Sequence, residues 1–218
     1  MRNKTKKLKN LNAGMTHSIK TQGHSEYCRG MTYVELIVVL SIFATMSAVV
    51  MFNYGRFQAR VDVKNLASDI ALKISEAQKS SASGVLPATG APYDSWKPSY
   101  GVYFDSSNLK DFAYFINSIN SADNNYDGTL IACNGECMEK VTLTKNYEIK
   151  TIESCNSNDS CSPISGGLSI TFKRPDVRAN FVDSGGNPID TNYVKITVGT
   201  SDTKSVIKLS TAGRIQIN

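Results

Sequence analysis

A chain of 218 residues has room for one modest folded domain and a membrane anchor. Its formal charge of +5 is unevenly held: residues 1–30 contain seven Lys or Arg and one acid, leaving 17 basic and 18 acidic residues beyond them, a balance that excludes a strongly nucleic-acid-binding composition there. His17 and His24 both fall in those 30 residues, so the rest of the chain lacks the side chains for His-based triads or His-ligated metals. No nucleophile elbow, phosphate loop or suggestive carboxylate pair occurs either, and the expectation is a non-catalytic protein.

The first element is the basic segment 1–30, with Arg2, Lys4, Lys6, Lys7, Lys9, Lys20 and Arg29 against Glu26. By the positive-inside rule it holds the N-terminus in the cytoplasm and sends the C-terminal part across the membrane. Met31–Phe52 is a 22-residue apolar run with a single charge, Glu35. As a helix at about 1.5 Å per residue it spans roughly the ~30 Å hydrocarbon core of a bilayer. A carboxylate there costs on the order of 3 kcal/mol on insertion scales and needs a specific partner. A secretory signal peptide would be cut after its apolar stretch at a small-x-small site, and no Ala-x-Ala follows Phe52. A plain signal anchor accounts for the flank and the span, but not for the junction Arg29-Gly-Met-Thr-Tyr-Val-Glu35.

That junction resembles the leader of the type IV pilin and pseudopilin family. The resemblance implies that a prepilin peptidase cuts after Gly30 and methylates the new N-terminus at Met31, making Glu35 the fifth mature residue. It further implies that Glu35 pairs with the Met31 amine of a neighbouring subunit, since a buried carboxylate beside a buried ammonium is tolerable where either alone is not. The expected setting is the cytoplasmic (inner) membrane, crossed once with the head outside the cytoplasm. Membrane lipid is the partner before assembly. Other pilin or pseudopilin subunits and an inner-membrane assembly platform follow, in a cell-surface or periplasmic filament.

Beyond Phe52 the helical pattern continues. Phe57, Val61, Leu66, Ile70 and Ile74, thickened by Ala67, Ala71 and Ala77, predict a buried stripe, and interspersed charges predict an exposed opposite face. No Pro interrupts Met31–Ser83, and Gly84 followed by Pro87 ends the pattern. One helix of about 50 residues, roughly 75–80 Å long, is expected, with Gly55 as a flex point. The remainder alternates and turns as a β-rich domain. Strands are predicted at Tyr100–Phe104, Phe112–Ile116, Val141–Thr144, Tyr147–Ile152, Leu168–Lys173, Tyr193–Val198, Val206–Leu209 and Arg214–Ile217. The expected fold class is α+β: a pilin-like fold with one long N-terminal helix packed on an antiparallel β-rich head. Its segments are 1–30 (leader), 31–52 (transmembrane or assembly half of the helix), 53–83 (amphipathic half) and 84–218 (head).

Four cysteines follow the leader, Cys133, Cys137, Cys155 and Cys161, an even number in what should be an oxidising compartment. Local pairs Cys133–Cys137 and Cys155–Cys161 are the simplest connectivity, and two other pairings remain open. The spacings C-x3-C and C-x5-C match zinc ribbons poorly. Asp123-Asn-Asn-Tyr-Asp-Gly-Thr129 fits the first half of an EF-hand-type calcium loop, with Asp123, Asn125, Asp127 and the Thr129 carbonyl as ligands. Position twelve is Asn134 rather than an acid, with Glu136 or Glu139 as substitutes. The other reading is an Asp-Gly turn leading into Thr129–Ala132, and no cofactor other than Ca2+ suggests itself.

Two further stretches resemble the H-type (FimT-like) minor pseudopilins of type II secretion and related minor pilins. Ser99-Tyr-Gly-Val-Tyr-Phe-Asp105 is similar to the strand after their helix. Val206-Ile-Lys-Leu-Ser-Thr-Ala-Gly-Arg-Ile-Gln-Ile217 is similar to their closing hairpin. Some of these minor pilins bind DNA through basic residues after the equivalent Gly; here Lys204, Lys208 and Arg214 would serve, though Gln216 stands where a second Arg is wanted. A solvated hairpin accounts for the same residues. The resemblance implies a minor pilin or pseudopilin of a type IV pilus or type II secretion machine. The alternative is a bitopic surface protein whose head binds a ligand, a surface or DNA without entering a filament.

Overall fold

A computed structural model describes residues 30–84, 99–117 and 124–218. Residues 1–29 of the predicted leader 1–30, and Asp123, lie outside the described residues. The chain divides into two units, Met1–Ser47 and Ala48–Asn218. In the first, residues 30–47 are exposed throughout. In the second, a helical segment and two antiparallel sheets enclose one main core, so the chain is α+β.

Helix α1 runs Tyr33–Ser83 and continues through Gly55. It starts where Thr32 accepts the Glu35 amide at Oγ1 (3.3 Å) and stops at Gly84, whose φ of +62° is the left-handed conformation that closes helices. The buried stripe differs from the predicted one at its start. It begins at Val63 and repeats as Val63, Ala67, Ile70, Ile74, Ala77 and Ser81, steps of four and three that keep one face inward. Phe57 is 64% exposed, Val61 only half-buried and Leu66 packs at the margin. The apolar pattern at Tyr54 and Phe57 thus belongs to an exposed surface.

Ten strands follow: β1 Ser99–Asp105, β2 Asn108–Asn117, β3 Cys137–Thr142, β4 Glu148–Cys155, β5 Cys161–Pro163, β6 Gly167–Phe172, β7 Ala179–Asp183, β8 Tyr193–Gly199, β9 Lys204–Ser210 and β10 Ile215–Ile217. They form a first sheet of order β3-β2-β1-β6-β7 and a second of order β10-β9-β8-β4-β5. Period-two alternation sends Tyr100, Val102 and Phe104 of β1, Phe112, Tyr114 and Ile116 of β2, and Leu168, Ile170 and Phe172 of β6 to one face of the first sheet. There they meet the α1 stripe and the inward residues of the second sheet, including Val194, Ile196, Ile207 and Leu209.

The other face of the first sheet is covered as well. Ala113 and Phe115 pack there with Tyr126 and Leu130 of the loop before β3, so the sheet is buried on both sides. Gly101 of β1 lies at this contact: a Cβ there would press on the Phe115 ring and the Ile170 carbonyl oxygen.

Polar ties fix α1 along the sheets. The Ser81 hydroxyl donates to the Phe172 carbonyl (2.7 Å), Tyr114 donates to Ser80 (3.1 Å), and Lys73 pairs with Glu139 of β3 (2.8 Å). Gln78 donates to the carbonyls of Val177 and Gly213, tying the helix to the turn before β10.

Candidate functional sites

The apolar segment carries the first candidate site. Thr32 and Glu35 stand in the Thr-x-x-Glu relation of a capping box, Thr32 occupying the cap and Glu35 the third helical position. A carboxylate in the first turn also lies at the end where the helix dipole favours negative charge. Sequence reasoning assigns Glu35 to assembly and misses this local role, although the Thr-x-x-Glu spacing announces it. Two of the polar side chains after it are satisfied within the helix, Ser41 donating to the Val38 carbonyl and Thr45 to the Ile42 carbonyl (both 2.8 Å). Glu35 is left as the single ionisable carboxylate between Met31 and Phe52, among side chains from Tyr33 to Phe52 that are all exposed. Among the described residues, α1 is the one helix long and apolar enough to cross a membrane.

The loop before β3 holds the expected calcium ligands. The Asn125 side-chain oxygen accepts from the Ser169 hydroxyl (2.9 Å). Asn134, at the twelfth position, accepts from both the amide and the hydroxyl of Thr129 (2.9 and 2.8 Å). Glu136 is buried, 1% exposed, and its carboxylate accepts the Asp127 amide (3.0 Å). The oxygens of Asn125 and Asn134 are therefore spent on bonds that fold the loop over the sheet. Among the described residues no group of three or more His, Cys, Asp or Glu is placed to hold a metal ion.

Two disulfides close the head, Cys133–Cys137 joining the same loop to the start of β3 and Cys155–Cys161 across the β4–β5 hairpin. Of the three connectivities open in the sequence, the local one is adopted. Beside the second bridge, the outer face of the second sheet carries Lys195 and Lys208 in register on β8 and β9, with Gln216 next on β10. The Lys195 ammonium lies 3.3 Å from Cys161 Sγ, and Lys208 sits 5.1 Å over the Tyr193 ring. The Tyr193 hydroxyl donates to Asp159; together with the charges of Lys208 and Lys195 it holds that carboxyl below its usual range.

Of the basic residues singled out for DNA, Lys208 and Arg214 line one shallow groove of about 400 Å3 with Tyr193, Ser210 and Gln216. Lys204 is exposed at the far end of β9, about 13 Å along the strand from Lys208, and does not join them. No protein-family model, no curated protein and no solved structure matches the chain. The sites therefore stand on their own chemistry. They offer a long apolar helical surface with one acid at its start, and a head closed by two disulfides.

Proposed function

We propose that the protein is a non-catalytic filament subunit of the pilin-like type, a minor pilin or pseudopilin, cleaved after Gly30 and assembled through residues 31–52. The observation that carries this reading is the surface of α1. Side chains from Tyr33 to Phe52 are exposed on every side, far more apolar area than a monomer leaves to water. Lipid covers such a surface before assembly, and like helices of neighbouring subunits cover it afterwards. Glu35 then supplies register: in a bundle of such helices its carboxylate has one matching cation within the apolar segment, the Met31 amine freed by cleavage. The basic excess of residues 1–30 supports a cytoplasmic N-terminus, with the head delivered to a compartment where both disulfides form.

Processing tests this directly. Co-expression with a prepilin peptidase should shift the intact mass by residues 1–30 and add one methyl group, and Gly30→Ala should abolish the shift. An unprocessed chain that still reaches the membrane would instead support a bitopic surface protein with no filament role.

A further inference from the structure

A cavity of about 680 Å3 lies just past the apolar run, between α1 and the β8–β9 turn. Its helix side is made by Gly55 and Ala59, which leave the space open, and by Arg56 and Arg60, one turn apart. The opposite wall is Thr200, Asp202 and Thr203. That turn is braced by Thr200 N donating to the Thr203 carbonyl (2.8 Å) and Thr203 N donating to the Thr200 hydroxyl oxygen (3.2 Å). Among the described residues neither guanidinium, nor the Asp202 carboxylate, enters an ion pair. Two cations on one wall face one anion on the other, all exposed and all uncommitted to each other.

Depth identifies the class of molecule that fits this space. Counting from Phe52 at about 1.5 Å per residue, Arg56 stands roughly 6 Å and Arg60 roughly 12 Å further along the helix. The headgroup layer outside the hydrocarbon core is about 5–8 Å thick. Tyr54, exposed two residues past Phe52, is of the amphipathic aromatic type enriched at such a boundary. On the reading that Met31–Phe52 lies in the bilayer, Arg56 stands at headgroup level and Arg60 about one helical turn further out, so the cavity opens at the outer edge of the headgroup layer.

We propose that this cavity binds the zwitterionic headgroup of an aminophospholipid. Arg56 and Arg60 take the phosphate through charge-assisted hydrogen bonds, and Asp202 takes the primary ammonium. A purely anionic headgroup leaves Asp202 facing like charge, and a trimethylated one has no N–H to give it. The lipid would hold the subunit's head at a fixed height over the membrane while the helix waits in it.

The test uses the full chain, delipidated in detergent and offered phosphatidylethanolamine, phosphatidylcholine and phosphatidylglycerol in equal amounts, with retained lipid counted by native mass spectrometry. Phosphatidylethanolamine should be retained about tenfold over the other two, the scale of one hydrogen-bonded charge pair. Arg56→Gln with Arg60→Gln should abolish the preference, and Asp202→Asn should transfer it to phosphatidylglycerol. Equal retention of all three lipids overturns the proposal, as does an unchanged preference in Asp202→Asn. Full displacement of the lipid by millimolar inorganic phosphate also overturns it, assigning a free-anion site instead. Circular dichroism and intact disulfides confirm that each variant is folded. Alkaline carbonate extraction separates the two levels: a chain that stays in the membrane without lipid preference sinks this inference alone, whereas a chain that is extracted sinks the membrane reading as well.

Discussion

Asp62 gathers three donors, one from its own helix and two from the segment before β4. Lys145 pairs with it at 2.6 Å, Gln58 donates from one turn earlier at 2.8 Å, and the Tyr147 hydroxyl donates at 3.1 Å. The Lys145 bond, then those of Gln58 and Tyr147, hold its carboxyl below the ordinary value of 3.8. A depressed folded-state value means that the ionised form is favoured on folding. The stabilisation is therefore fully present above about pH 3.8 and is lost as pH falls through the lower folded value. Asp62→Asn should lower the melting temperature at pH 7, and the gap from the wild type should close in melts taken below that range. Gly101 makes a steric prediction at the same scale. Gly101→Ala forces the Phe115 ring and the β6 backbone apart and should destabilise the head by about 1–3 kcal/mol in urea unfolding.

At the scale of elements, the α1 stripe separates residues that look alike in sequence. Ile74 is fully buried in the main core, whereas Leu72, two positions earlier, is 66% exposed. Ile74→Ala should cost about 2–5 kcal/mol, and Leu72→Ala should stay within about 0.5 kcal/mol of the wild type by denaturant midpoint. Much of this architecture is legible in the sequence. The helix end at Gly84 follows from turn chemistry, and every predicted strand overlaps an observed one because its apolar alternation reports a half-buried face. The failures share a cause. Cys161–Pro163 and Ala179–Asp183 are short edge strands with little alternation and Pro within or before them, and edge pairing is dictated by the neighbouring strand. The predicted strand Val141–Thr144 starts too late because β3 is registered by β2 and begins at the disulfide cysteine, in a stretch whose pattern is polar. The helical stripe starts later than its period suggests because apolar residues at 57 and 61 keep that period without being buried by the head. The charged cavity between α1 and the β8–β9 turn has no sequence signal at all, since it joins residues some 140 positions apart.

For the whole molecule, two surfaces of opposite character have to be reconciled. Residues 31–52 expose apolar side chains with one acid at their start, while the head buries its core and closes its loops with two disulfides. A lipid-covered, then subunit-covered helix accounts for both, provided that Glu35 finds its partner on a neighbouring chain. The most direct measurement is incorporation of Glu35→Ala into sheared filaments, scored against the amount of processed protein in the membrane. The account predicts normal cleavage and normal membrane levels with loss of the protein from the filament fraction. Glu35→Ala present in filaments at the wild-type ratio would contradict it.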